Sequence, residues 1–153
     1  VTGNILAAFE DALQAVIALT FFIPLLIGTA GNAGAQASTL VVRAMAIGEV
    51  TWKHFARVVS REALTGVILG SVMAVVGFGW AAFFAGDPAI GLTVGLTIAL
   101  VVTAVSIVGA SLPILAQRLN LDPAVASAPL VTVVADATGL VLYFLIAQWI
   151  LGL

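Results

Sequence analysis

One carboxylate lies inside an apolar segment near the end of the chain. Asp136 follows Pro129 by seven residues, and the apolar run around it continues to Ile150. In a membrane, a charge at that depth costs on the order of 3 kcal/mol unless it is compensated. No Lys or Arg lies in this segment. Ionisable residues in such segments are functional by default, so we expect Asp136 to face water, a cation or a proton path.

Polar side chains form two stripes in the sequence. The earlier stripe consists of Thr29, Asn32, Gln36, Thr39 and Arg43, and the later one of Thr132, Asp136, Gly139 and Tyr143. Spacings of three and four residues place each set on one face of a helix. Because polar residues are scarce in this chain, the two stripes predict a water-accessible seam shared by two helices.

Close helix packing is the alternative interpretation of the first stripe. Small residues favour close helix contacts in membranes, and here they are Gly28, Gly31, Gly34, Ala35 and Ser38. Asn32 and Gln36 would then only form hydrogen bonds between helices. This interpretation leaves the charge of Asp136 unexplained.

The residues of the seam limit the chemistry that it can perform. It contains no His, no Cys and no second carboxylate, which disfavours a transition-metal site. Its oxygen atoms suit hard cations such as Mg²⁺, Ca²⁺ or Mn²⁺, and a single carboxylate is compatible with a still-hydrated Mg²⁺. A two-fold dimer would bring two copies of Asp136 to a common axis. The lone His54 lies beside Lys53, away from any Ser/His/Asp set, so we expect no enzymatic activity.

The composition predicts an integral membrane protein. Of 153 residues, 63% are hydrophobic and 8% are charged, and the mean hydropathy is +1.27. So few charges cannot cover the surface of a soluble domain. The absence of cysteine excludes disulfides, and a net charge of −2 argues against nucleic acid as a partner. The chain begins at Val1 without a recognisable signal peptide, which suggests a fragment of a longer protein.

Four segments are long and apolar enough to cross a bilayer, which requires roughly 20 residues. They are Ala12–Ala46, Leu64–Phe84, Ile90–Leu115 and Leu130–Leu153. The first is longer than one span needs, and Pro24 is a ready cause of a kink. Val1–Leu13 is too short and polar to cross by itself. We therefore predict an all-α helical bundle of four transmembrane spans.

A basic amphipathic segment, Gly48–Glu62, separates the first two predicted spans. Its basic residues suit lipid headgroups and its aromatic residues suit the membrane interface, so we predict one interfacial helix with no partner beyond lipid. Two Asp-Pro pairs precede the third and last spans, at Asp87 and Asp122, and we interpret both acids as helix caps.

The basic residues also predict the orientation of the chain. Lys53, Arg57 and Arg61 lie between the first two spans, and Arg118 lies between the last two. Basic loops remain cytoplasmic, so we expect loops 48–62 and 116–121 inside the cell and the C-terminus outside it. The expected location is the cell inner membrane.

Two stretches of the sequence resemble the transmembrane domain of the MgtE family of magnesium channels and transporters. The matching stretches are Pro24–Arg43, with its Gly-Asn pair at Gly31 and Asn32, and Asp122–Leu140. The resemblance covers essentially the whole chain. It implies a homodimer with the Mg²⁺ pathway at the subunit interface, and it implies that Asp136 is the central pore aspartate.

The stripes and the resemblance together define an expected pore lining. Its residues are Thr29, Gly31, Asn32, Gln36, Thr39, Ala128, Thr132, Ala135 and Gly139. The chain departs from some family members, which have asparagine where Ala35 and Ala128 stand here. Family domains have five spans, whereas four are visible here. We expect residues 1–153 to form a single ion-conducting transmembrane domain without the cytosolic magnesium-sensing domains of the family.

Three functions remain open at this point. The first is a Mg²⁺ channel or uniporter. The second is an exchanger in which Asp136 alternates between a divalent ion and a proton or Na⁺. The third is a non-transporting subunit whose polar stripes serve assembly.

Overall fold

The computed structural model describes residues 1–9, 17–126 and 128–152. Its α-helices are α1 (Thr2–Ala8), α2 (Ala18–Ala46), α3 (Phe55–Ala85), α4 (Pro88–Arg118) and α5 (Ala128–Leu151). Two 3₁₀ turns, Trp52–His54 and Pro123–Ala126, precede α3 and α5. No β-strand occurs among the described residues.

Four helices in the described part of the chain are long and apolar enough to cross a membrane. They are α2, α3 with the turn before it, α4 and α5. This confirms the predicted all-α membrane bundle of four visible spans. α2 is continuous through Pro24, so the proline does not interrupt it. Residues 12–16 of the predicted first span lie outside the described residues.

The basic amphipathic segment differs from the prediction in one respect. Residues 48–51 of the segment are not helical, Trp52–His54 form a 3₁₀ turn, and the rest is the first two turns of α3. No break separates Arg57 and Arg61 from the second span. The predicted interfacial helix is therefore continuous with that span, because no Gly or Pro intervenes between Phe55 and Glu62 to end the helix.

α4 is the central helix of the bundle. It packs along most of α3 and also contacts α2 and α5, which contact each other. One face of α4 is therefore buried in the core through Val94, Ile98, Val101 and Val105. α3 contacts α2 only slightly, and most of its side chains are exposed on the outer surface.

A pair of glycines permits the close approach of α2 and α4. A Cβ atom added to Gly109 would overlap the carbonyl oxygen of Gly34. A Cβ on Gly34 would lie only 2.8 Å from Val131 Cγ1 of α5. Small residues thus allow α2, α4 and α5 to meet closely, which is how membrane helices commonly pack.

The two Asp-Pro pairs act as caps. Asp87 is the N-cap of α4, and its Oδ1 accepts a hydrogen bond from the Ala89 amide at 2.8 Å. Asp122 Oδ1 accepts from the Ala124 amide at 2.9 Å. Asp122 therefore caps the 3₁₀ turn before α5 rather than α5 itself.

The short helix α1 and the residue after it pack against α5. Phe9 stacks on Phe144 with ring centroids 4.7 Å apart. Close by, the hydroxyl of the buried Tyr143 donates a hydrogen bond to the carbonyl oxygen of Leu19, at 3.0 Å. These contacts attach the start of α2 and the chain before it to the last helix.

Candidate functional site

Asp136 lies where α5 packs against α2, directly opposite Gly31. A Cβ atom at Gly31 would lie 3.6 Å from Asp136 Oδ1 and 3.3 Å from Thr132 Cγ2. Gly31 is buried, whereas Asp136 and Thr132 are partly exposed. The absence of a side chain at Gly31 thus makes room for two polar residues that lie one turn apart on α5.

One oxygen of Asp136 is buried without a hydrogen-bond partner among the described residues. This atom is Oδ1, the oxygen that faces Gly31. No Lys or Arg in the described part of the chain forms an ion pair with the carboxylate. A buried polar atom of this kind costs on the order of 1–3 kcal/mol, and more when it is charged. The fold therefore retains an acceptor that its own described groups leave unsatisfied.

The first polar stripe lies on the exposed side of α2. Asn32, Gln36 and Thr39 are exposed and line an open groove of about 440 Å³ together with Ala35 and Leu40. Arg43 is exposed two turns after Gln36. The structure thus places three members of the expected pore lining side by side, and Asn32 is adjacent in sequence to the buried Gly31.

Thr29 occupies a different position from the rest of its stripe. It is partly buried and lines an apolar cavity of about 620 Å³ bounded by α2, α3 and α4. The other residues around this cavity are apolar, including Trp80 and Ile98. The structure does not bring Thr29 into the groove that Asn32, Gln36 and Thr39 share.

Two further members of the expected lining, Ala135 and Gly139, are buried among the helices of this chain. Ala135 belongs to the hydrophobic core. A Cβ at Gly139 would lie 3.6 Å from both Ala30 and Val101. Their assignment to a pore stays a prediction. Ala128 is the first residue of α5, and its side chain lies outside the described residues.

The regular spacing of the second stripe did not reveal that its members divide between two environments. Thr132 and Asp136 reach the surface in part, whereas Gly139 and Tyr143 are buried. Tyr143 is held by its hydrogen bond to Leu19. Sequence reasoning also missed the contact between Gly31 and Asp136, although a glycine within a helix often marks a close approach.

The two basic loops meet at one end of the bundle. The Arg118 guanidinium lies over the Trp52 ring, 4.6 Å from its centroid. This contact joins the end of α4 to the turn before α3, and it places both loops at the end where α2 also finishes. Asp87 lies at the opposite end, between α3 and α4.

The donor atoms at the candidate site suit a hard and hydrated cation. Among the described residues, no group of three or more His, Cys, Asp or Glu side chains could hold a metal ion. One partly exposed carboxylate can attract a cation that keeps part of its water, which is the usual state of bound Mg²⁺. The groove lined by Asn32, Gln36 and Thr39 does not include Asp136. The described residues of one copy therefore do not build a complete shell of protein ligands.

The fold and this site together define a class: a helical membrane protein with a partly exposed carboxylate where two of its spans pack together. The family model for MgtE, described as a divalent cation transporter, matches residues 23–146. The chain belongs to this family.

Named relatives agree with this assignment. The chain is 40% identical to the magnesium transporter MgtE of Thermus thermophilus over 151 residues, which is 99% of this chain and 33% of the relative. It is 35% identical to that of Bacillus subtilis over 147 residues, which is 96% of this chain and 33% of the relative. The chain therefore spans about a third of the length of the curated relatives it matches.

Proposed function

We propose that this chain forms the membrane pathway for Mg²⁺ as a channel or uniporter. Asp136 attracts the hydrated ion at the interface of a homodimer. The single observation that carries the proposal is the buried and unpartnered Oδ1 of Asp136 opposite Gly31. The Asp136 side chain is partly exposed, so a cation can approach the rest of this uncompensated carboxylate from the surface. Family membership and the names of the relatives support Mg²⁺ as that cation.

The exposed stripe of α2 supports the dimer. Asn32, Gln36 and Thr39 lie within a membrane-spanning helix, where contact with lipid leaves polar side chains without hydrogen-bond partners. Covering this stripe with a second copy by a two-fold axis gives those groups partners or water. The same operation brings a second Asp136 into the assembly.

We also propose the domain and the orientation that the sequence predicts. Residues 1–153 act as one transmembrane ion-conducting domain. Lys53, Arg57, Arg61 and Arg118 lie at the cytoplasmic end, and the C-terminus lies outside the inner membrane. A reporter enzyme that works only outside the cytoplasm should be active when it is fused after Leu153. Activity of a reporter that works only in the cytoplasm would contradict this orientation.

Mg²⁺ uptake into proteoliposomes tests the proposed pathway. Two carboxylates attract a divalent ion by a few kcal/mol at an effective dielectric of about 20. Asp136→Asn should therefore reduce Mg²⁺ flux by about a hundredfold, because each 1.4 kcal/mol corresponds to a factor of ten. The matched control is Asp87→Asn, which makes the same chemical change at an exposed cap and should keep the parent rate.

The outcomes separate the proposed mechanism from its alternatives. Parental flux in Asp136→Asn would show that the carboxylate is structural. A flux that requires an imposed proton or Na⁺ gradient would indicate an exchanger. An absence of Mg²⁺ flux from the unmodified protein would favour the assembly role.

Disulfide crosslinking tests the dimer separately. A cysteine that replaces Gln36 on the exposed stripe should crosslink between two copies in native membranes. A cysteine that replaces Val75, on the exposed face of α3, should not. Equal crosslinking at the two positions would argue against the proposed interface.

A further inference from the structure

A basic and aromatic groove lies at the end of the bundle, away from Asp136. It has a volume of about 470 Å³ and is lined by Thr51, Trp52, Lys53, Gln117 and Arg118. The groove joins the turn before α3 to the last turn of α4. These residues are more than 60 positions apart in the sequence, so the fold creates the groove.

Aromatic stacking holds one of the two cations in place. Trp52 stacks on Phe55 with centroids 5.1 Å apart, and the Arg118 guanidinium lies on the Trp52 ring. Such a cation–π contact orients the plane of the guanidinium while its N–H edge stays free to donate. No carboxylate in the described residues pairs with Arg118 or Lys53. Two cations thus share one groove without a described anionic partner.

A separate apolar cavity, which we call the furrow, lies between the same two helices farther from this end of the bundle. Val67, Ser71, Leu100, Thr103 and Ile107 line a cavity of about 370 Å³ on the outer side of α3 and α4. Leu100 and Arg118 are 18 residues apart, which is five turns of an α-helix, so both lie on the same face of α4.

We propose that the groove binds the phosphate of an anionic phospholipid, whose acyl chain lies in the furrow between α3 and α4. The guanidinium of Arg118 and the ammonium of Lys53 neutralise the phosphate, and Thr51 and Gln117 offer hydrogen bonds to it. Trp52 suits the boundary between headgroups and hydrocarbon.

The apolar surroundings of the groove favour a lipid over a soluble anion. The exposed side chains of Leu115, Leu119 and Leu121 flank the end of α4. A free phosphate would use only the two cations, whereas a phospholipid also covers the apolar furrow. Binding should therefore require both the charge of the headgroup and the acyl chain.

Native mass spectrometry of the detergent-solubilised protein tests this site. Dioleoyl phosphatidylglycerol is the probe, and dioleoyl phosphatidylcholine supplies the same acyl chains with a neutral headgroup. We expect preferential retention of phosphatidylglycerol. Arg118→Gln should weaken its binding about tenfold, which corresponds to about 1.4 kcal/mol. Arg61→Gln is the matched control, because it removes the same charge from an exposed position outside the groove. Arg61 contributes only general attraction to anionic headgroups, so this change should alter binding less than twofold.

A second variant tests whether binding depends on the orientation of the Arg118 guanidinium as well as on its charge. Trp52→Leu keeps every charge but removes the surface that holds Arg118, so it should weaken phosphatidylglycerol binding by a few fold. Three results would overturn the proposal: equal retention of phosphatidylcholine, an equal effect of Arg61→Gln and Arg118→Gln, or displacement of the lipid by an equal concentration of inorganic phosphate.

Discussion

Asp136→Asn should make the protein more stable in the absence of Mg²⁺ while removing its response to the ion. The carboxylate is partly exposed, but its Oδ1 is buried opposite Gly31 without a described hydrogen-bond partner. Leaving such an atom unsatisfied costs about 1–3 kcal/mol in a neutral group and more in a charged one. Asparagine has nearly the same volume and carries no charge, so it occupies the same space at lower cost.

The expected gain in the free energy of unfolding is about 1–2 kcal/mol. For a chain of this size, 1 kcal/mol corresponds to about 2–4 °C in the midpoint of thermal unfolding. The unmodified protein should gain stability from Mg²⁺, by about 2.7 kcal/mol at a hundredfold excess over the dissociation constant. The Asn variant should gain almost none, because it lacks the charge that we propose to attract the ion.

Thermal unfolding in detergent, with Mg²⁺ and with a chelator, measures both effects. Asp87→Asn is again the control, because aspartate and asparagine are almost equivalent at an N-cap. It should change neither the Mg²⁺-free midpoint nor the shift caused by Mg²⁺. The reasoning fails if Asp136→Asn lowers the Mg²⁺-free midpoint, or if Mg²⁺ still stabilises that variant as it does the parent.

Two further substitutions, with one control, test the contacts of α5 with α2. Gly31→Ala places a methyl group 3.3 Å from Thr132 Cγ2 and beside Asp136, so it should cost about 1 kcal/mol of stability and reduce the Mg²⁺ shift in thermal unfolding. Gly79→Ala, which meets no atom within 4 Å, should instead be neutral or stabilising. Tyr143→Phe removes the hydrogen bond to the Leu19 carbonyl and should cost about 1 kcal/mol in the same assay without altering the Mg²⁺ shift. An unchanged midpoint in Tyr143→Phe would mean that this bond contributes nothing.

The four spans could be predicted because more than one feature of the sequence indicates each of them. Each apolar run is longer than a bilayer requires, so an error of a few residues at either end does not change the number of helices. Cap residues supplied further local information, as at Asp87, where an aspartate before a proline marks the start of α4. The extension of α3 back to Phe55 was missed because the polar composition of residues 55–62 suggested a separate element.

The arrangement within the site was less predictable, because helical spacing shows which residues share a face but not what that face contacts. Thr132 and Tyr143 belong to one stripe, yet only Thr132 reaches the surface. The tilt and packing of α5 against α2 and α4 decide this difference. The contact between Arg118 and Trp52 depends on the same tertiary packing, and no local pattern in the sequence indicates it.

The position of Gly31 links the stability of the bundle to the availability of the carboxylate. α5 is held by apolar packing of Val131, Leu140 and Phe144, which are all buried. This packing compensates for a buried acceptor that would otherwise favour separation of the helices. A larger residue opposite Asp136 would move the carboxylate, whereas a basic residue would neutralise its charge. Glycine at position 31 leaves room for the carboxylate and provides no opposite charge. An unpaired carboxylate of this kind can bind a cation.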